Sequence, residues 1–386
     1  MTELKVTLHA ALNETLRDQW QQLFAGLTQK NLFQHSAWQQ AFIDGRYQPE
    51  KHGKLIFAVA LQSGQPVAIV PLMYRFERRY GLPVRVIELM HPTDMGVRDL
   101  PIADGADIKN IIDTILHKTL PAAGYRWDVA EIKGAVENST AHRTFQAAAG
   151  FKIAAYDHDS NRLKSVAGRD QCFSLISKSH IKKTKRKRKH FEALGKVDYE
   201  LITAPEDLPR AYEIFLSIED SGWKGSQGLK TSLRNDIPQK RFYESMIANT
   251  APELNFCAII LRLNDEPIAA KLCTKTGNTL FMLKISYDDR YQEHSPGSLL
   301  LLYVLEQFSE DEQVDYISFV TGQEWTWRWS AERQPVFSCL VFNSTAIGLL
   351  IAAAKHAKAF ACGIEEKLKN RKHADTSDQE KVVDND

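Results

Sequence analysis

A chain of 386 residues is long for one hydrophobic core and suggests two, at about 150 residues per domain. Its 44% apolar and 25% charged residues are those of a packed globular protein, which excludes collagen-like and disordered classes. A formal net charge of +1 gives no overall field that would mark nucleic acid or a membrane as the partner, so any such argument has to be local.

The segment Met1 to Lys5 has neither a basic n-region nor an apolar h-region, so no secretory signal and a cytoplasmic location are expected. Residues 14 to 44 read as helices, with Leu16, Trp20, Leu23 and Phe24 at helical spacing and Trp38 and Phe42 four apart. The period then changes. Leu55 to Leu61 and Val67 to Met73 are apolar runs around the turn Ser63-Gly64-Gln65-Pro66, which predicts a β-hairpin. Val84 to Leu89 reads as a strand, Ile108 to Leu120 as a helix and Trp127 to Ile132 as a strand, and a helix near 138 to 149 is expected to end with Gly150 as its C′ residue. After a basic segment at 178 to 190 come a helix from Leu208 to Asp220, another over about 238 to 249, and strands Phe256 to Leu263, Ile268 to Thr274 and Thr279 to Tyr287. The order is mixed α/β.

The second hairpin, with its turn Asn264-Asp265-Glu266-Pro267, repeats the first about 200 residues later, and two helical segments precede each. Two copies of one fold follow from that spacing. We expect a first domain over 1–170, a second over 171–345, and a terminal helix with a polar tail over 346–386. The apolar stretch Ala346 to Ala354 is too short to span a bilayer and suits an amphipathic surface helix; Glu366 to Asp386 is polar enough to be disordered. The five cysteines are odd in number and form no CxxC pair, which fits reduced thiols and no metal site.

Four segments can carry chemistry. Tyr287 to Ser298 lies between a strand and the apolar helix Leu299 to Phe308; Ser295, Pro296, Gly297 and Ser298 would bring free backbone N–H groups and a positive helix end to a pyrophosphate, or simply punctuate a helix start. Glu219 to Gly228 ends a helix in a loop with three glycines, where Glu219 is a candidate base and Trp223 and Lys224 candidate pocket walls, unless they only pack and solvate. In Asp315 to Trp329 three tryptophans alternate, so at least one should be exposed. Lys178 to His190 holds eight Lys or Arg and no acid, spread around a helix with Ile181 as nearly the only anchor before Phe191; such self-repulsion points to an anion held by Lys182, Lys183, Arg186 and Arg188, whether a nucleotide-bearing donor, RNA, an acidic carrier protein or lipid. His91 and Asp94, in a proline-containing loop, are candidate acceptor contacts. No G-x-S-x-G, Walker A, G-x-G-x-x-G or H-E-x-x-H occurs, so the hydrolase, nucleotide triphosphatase, Rossmann and zincin signatures are missing.

Taken in order, Lys182 to Lys189, Glu219 with Gly222 to Gly225 and Gly228, Leu283 to Asp288 with Tyr291 and Ser295 to Gly297, and Asp315, Gly322 and Trp329 resemble the CelD/BcsL proteins of cellulose biosynthesis. These are GNAT-type acyltransferases related to the FemAB peptidyltransferases, and the resemblance spans roughly 30 to 335. It implies two tandem GNAT-like domains, each a largely antiparallel mixed sheet flanked by helices, with the acceptor between them and the donor loop in the second. It further implies acyl-CoA as co-substrate, Lys284, Tyr287, Tyr291 and Ser295 to Ser298 along the donor, and Glu219 or Glu324 assisting the acceptor's deprotonation. Trp223, Lys224, Asp315, Trp329, His91 and Asp94 would shape the acceptor site, the acceptor being a sugar or polysaccharide precursor. The sequence departs from the family where an aromatic-Lys pair is expected: Trp325-Thr326-Trp327-Arg328 stands there without the Lys. An aminoacyl-tRNA-dependent transferase and a catalytically silent binding module are the rival readings.

Overall fold

The computed structural model describes residues 3–90, 96–165, 168–222, 224–225 and 228–358. β1 (Leu4–His9) is followed by α1 (Glu14–Ala25), α2 (Ser36–Gly45) and α3 (Pro49–His52), then by the meander β2 (Lys54–Gln62), β3 (Gln65–Arg79) and β4 (Leu82–Leu89). α4 (Ile108–Thr114) and α5 (Leu120–Ala122) lead to β5 (Val129–Val136), α6 (Thr140–Ala147) and β6 (Phe151–Asp159). Next come β7 (Arg162–Lys164), α7 (Arg169–Ser174), α8 (Lys178–Glu192), β8 (Val197–Ile202), α9 (Leu208–Ser221) and α10 (Ile237–Ala248). A second meander, β9 (Asn255–Leu263), β10 (Glu266–Thr276) and β11 (Thr279–Tyr287), precedes α11 (Pro296–Phe308), β12 (Tyr316–Ser318), β13 (Pro335–Phe342) and a last helix, α12, over 346–358.

The repeat read from the sequence is present down to its turns. Ser63 and Gly64 both have positive φ, as do Asn264 and Asp265, so each hairpin closes on a two-residue turn whose twist matches its strands. In both copies the register then slips by one residue just after the proline, leaving Val67 unpaired in the first and Ile268 in the second. Pro66 and Pro267 have no N–H to hold the ladder, which explains a bulge at the same place twice.

The sheets run β1-β2-β3-β4-β5-β13-β6 and β7-β12-β11-β10-β9-β8. Each is an antiparallel meander joined to one parallel neighbour, β4 with β5 and β11 with β12. The mixed α/β reading therefore holds, with two mixed sheets flanked by helices. The halves also exchange edges: β13 inserts between β5 and β6 of the first sheet, while β7 pairs with β12 of the second. Gly150 is not the C′ residue of α6, which ends on Ala148; its positive φ is needed two residues later, where a Cβ would lie 2.8 Å from the Phe342 carbonyl.

One apolar cluster joins the halves. Trp38 of α2 meets Phe242 of α10 edge-on at 5.0 Å, and Phe33 meets Phe281 of β11 at 5.5 Å. α2 and α10 touch through backbone at Gly45, where a Cβ would stand 2.5 Å from the Phe242 nitrogen. Gly45→Ala is expected to cost about 2 kcal/mol by prising the helices apart, read as a fall in melting temperature.

Lys271 of β10 is fully buried on the opposite face of the second sheet, and its amine reaches the Met282 sulfur at 3.4 Å. Among the described residues it meets no carboxylate, and burial pushes its pKa down. The unfolded chain therefore binds the proton more tightly than the folded one, and stability should rise with pH up to the ordinary lysine range. Lys271→Met is expected to stabilise the protein by about 2 kcal/mol near neutral pH and to remove that slope, measured by denaturant unfolding across pH.

α12 buries Ile351 and Ala352 against Val84, Val86, Val129 and Phe342, and leaves Leu349 and Leu350 exposed, as an amphipathic surface helix does. Among the described residues no helix is long and apolar enough to cross a membrane. The polar segment from Glu366 lies outside the described residues.

Candidate active site

β11 and β12 stay paired only from Thr279–Tyr316 to Phe281–Ser318. β11 continues to Tyr287, whereas β12 ends and the chain turns away through Val320 at φ 62°. The parallel pair thus opens into a wedge. At its mouth Cys273 pairs with Met282 and Leu272 with Lys284, so Leu283 is an extra residue in the ladder. Such a bulge frees backbone N–H groups from the sheet and aims them elsewhere.

The first sheet has the same wedge between β4 and β5, but the chain fills it. Arg98 N donates to the Gly134 carbonyl at 2.8 Å, Ile69 N to the Pro101 carbonyl at 3.1 Å, and Ala103 N to the Val67 carbonyl at 2.8 Å. Residues 97–103 therefore occupy the ground that an extended ligand would need.

Beyond Tyr287 a 3-10 turn over Asp289–His294 delivers the chain to α11. Ser295 sits in the left-handed region at φ 55° and makes no side-chain cap, and its hydroxyl accepts from the Lys187 ammonium of α8. Ser298 N and Leu299 N donate to the Ser295 carbonyl. Pro296 opens the helix with no N–H to satisfy, and a Cβ on Gly297 would lie 3.1 Å from Ile285 Cδ1. An anion arriving here meets a helix N-terminus with no side-chain cap, a lysine and a glycine cradle.

The acceptor-side loop reaches the same end of the sheet. Gly222, just after α9, packs so closely on the donor turn that a Cβ would stand 3.0 Å from Asp289 Oδ2. Glu219, almost fully buried, accepts the Leu233 N–H at 2.7 Å through Oε2 and faces the Lys224 ammonium at 3.5 Å through Oε1. A carboxylate offers about four lone-pair sites, of which these contacts use two.

The other expected residues divide. Lys284 and Tyr287 lie on β11, and Tyr291 packs edge-on to Phe191 of α8 at 5.9 Å. Glu324 is exposed at the start of the 3-10 turn Glu324–Trp329, while Trp329 is buried with its ring 4.7 Å from His180 of α8. Trp325 and Trp327 are half exposed, in line with the expectation of at least one exposed indole. Burial, with Arg328 and Lys183 nearby, holds the His180 pKa below its usual value, so Arg328 lies toward the start of α8. Asp315 accepts from Asn278 Nδ2 at 2.6 Å beside Thr279, at the far end of β11. It is roughly 26 Å of strand away from the donor turn. Lys182, Lys183 and Arg186 are exposed, whereas Arg188 turns inward to Glu306 of α11 at 2.7 Å. Trp223, His91 and Asp94 lie outside the described residues.

Two features were absent from the sequence reading, the Leu283 bulge and the Lys187 contact with Ser295. No local signal marks the bulge; Lys187 stood within the basic run without distinction.

The wedge between β11 and β12, the bulge in the β10–β11 ladder and a helix N-terminus with no side-chain cap all belong to the second sheet and the helix that follows it. Residues 178–329 match the acetyltransferase (GNAT) domain family. The fold is similar to that of FemX, at TM-score 0.57 and 10% identity over 86% of this chain and 96% of that one. It is also similar to the C-terminal domain of a putative lysylphosphatidylglycerol synthetase from Agrobacterium fabrum, at 0.52 and 11% over 88% and 96%. A tandem GNAT protein from the clavulanic acid biosynthesis pathway aligns at 0.47 and 14% over 87% and 98%. At these identities the likeness is one of fold. No curated protein matches the chain. The GNAT match ends at Trp329 and begins with α8, so it takes in the open wedge and leaves out the filled one.

Proposed function

We propose that the protein is an acyltransferase of the CelD/BcsL kind, moving an acyl group from acyl-CoA to an amine or hydroxyl of a sugar or polysaccharide precursor. The observation that carries this reading is the open β11–β12 wedge with the Leu283 bulge beside it, inside the segment that matches the GNAT domain.

On this reading Gly297, Ser298 and Lys187 hold the donor phosphates, with Tyr291 and Ser295 completing the loop. Lys284 and Tyr287 line the arm, and the backbone N–H groups freed at Leu283 face the thioester carbonyl, stabilising the negative charge that develops on its oxygen. The acceptor attacks from the side of Glu219, which takes its proton directly or through water, while Lys224 holds that carboxylate in place. Alignment in the wedge supplies much of the remaining rate. Glu324 and Trp329 border the acceptor side, with Arg328 supplying the charge that the missing lysine carries in the family.

The test is thermal stability of the purified protein against acetyl-CoA, longer acyl-CoAs and tRNA. Stabilisation by one thioester identifies the donor class. Stabilisation by tRNA alone would transfer the reading to an aminoacyl-tRNA-dependent enzyme, and a flat response to the whole panel would leave a binding module.

A further inference from the structure

α8 is unusual in having its charge sorted by face. Its inner side buries Ile181, Thr184 and Phe191, and two of its cations are used there, Lys187 on Ser295 and Arg188 on Glu306. Its outer side exposes Lys178, Lys182, Lys185, Arg186 and Lys189, which fall on one stripe of the helix, with Lys183 and His190 flanking it. Eight cations and the single acid Glu192 give α8 +7 in a chain whose net charge is +1, so the rest of the chain carries −6. The field is therefore confined to this helix.

The position of the stripe matters as much as its sign. α8 packs on the donor turn through Phe191, which touches the rings of Tyr291 and His294, and reaches the tryptophan turn through His180 and Trp329. Leu175 before it and Leu194 after it are about half exposed, so apolar contacts stand at both ends of the cationic stripe.

We propose that the outer face of α8 docks a small acidic carrier protein that presents the acyl group as a thioester on a phosphopantetheine arm. This rests on the acyl-transfer reading above, and names the form in which the donor arrives. The helix is about 22 Å long, enough for one acidic helix of a partner. A nucleic acid would extend beyond it over the rest of the chain, whose formal net charge is −6. Leucines flanking a charged stripe also suit a protein, whose interface pairs apolar contacts with a polar rim. The chemistry is the same as with a free donor: the acceptor nitrogen or oxygen bonds to the acyl carbon, the carbon–sulfur bond breaks, and the proton lost by the acceptor ends on the released thiol. Docking places the arm at the wedge, so it raises the encounter rate and lowers KM rather than altering the chemical step.

The experiment compares two donors, acetyl-CoA and acetylated holo acyl carrier protein, on the full chain and on the double variant Lys185→Glu/Lys189→Glu. Both residues are exposed, Lys185 with its ammonium 5.2 Å from the Phe173 ring of α7, and neither touches the turn Asp289–His294. The expected result is a fall of about tenfold or more in kcat/KM with the carrier-borne donor, steepening at low salt, and no more than about a twofold change with acetyl-CoA. A parallel titration measures binding of the unacylated holo carrier at low and high salt. Equal kcat/KM changes for the two donors would overturn the proposal, as would absence of carrier binding, or binding of an RNA in its place. If neither thioester is turned over, the acyl-transfer reading fails, and the titration alone then decides docking: salt-sensitive binding lost in the variant sustains it.

Discussion

Gly297→Val is expected to abolish donor binding, lowering kcat/KM by about a hundredfold or more through a misplaced or excluded donor. The backbone of Gly297 lies in the first turn of α11, outside the left-handed region, so a side chain is tolerated by the chain itself. What it meets is Ile285: a Cβ would already stand 3.1 Å from Cδ1, and a branched residue adds a methyl where the phosphates must approach the helix end. Alanine needs only a small shift of a flexible isoleucine tip, so Gly297→Ala should lose far less. The cleanest reading comes from thermal unfolding with acyl-CoA at a hundred times its Kd, where binding stabilises by about 2.7 kcal/mol. The valine variant should unfold as before without donor and show none of that increment with it. An unchanged increment would remove the α11 N-terminus from the donor site.

Glu219→Gln is expected to lower kcat by about a hundredfold while leaving the fold and KM for donor nearly intact, since the amide oxygen can still accept the Leu233 N–H but takes no proton. Glu219→Ala removes the whole bracket. The Leu233 N–H is then buried without its acceptor and the ion pair of Glu219 with Lys224 is lost, so about 3 kcal/mol of stability should go with the activity. The pair separates two roles of one carboxylate. Were the glutamine variant fully active and the alanine variant merely unstable, Glu219 would be a structural bracket and the base would have to come from elsewhere in the acceptor loop.

The repeat was legible because its signals are local. A two-residue turn, a proline in the next strand and apolar runs on either side lie within twelve residues or so, and they occur at Ser63 and again at Asn264. The start of α11 was legible for a related reason: Ser295-Pro296-Gly297 is helix-start chemistry shortly after the apolar strand ending at Tyr287. Strands β1, β6, β7, β8 and β13 were not recognised. β6 is mostly exposed and shows no clean alternation, and β13 takes its place from partners nearly two hundred residues earlier in the chain.

What the sequence determined by itself was therefore the mixed α/β plan, its duplication, and the turn at Ser295 to Ser298 where α11 begins. Each depends on contacts between residues close along the chain, where periodicity and turn chemistry act. Tertiary structure alone decided which of the two wedges is open. Residues 97–103 fill the first by pairing with β3 and β5, while the second stays open because β12 stops after three residues. It decided too that Asp315 lies beside Asn278 at the start of β11, that Arg188 pairs with Glu306, and that Lys187 meets Ser295. Those outcomes depend on strand pairing and helix docking across a hundred residues or more, and a basic run or an acidic residue looks the same in sequence whichever neighbour folding brings to it.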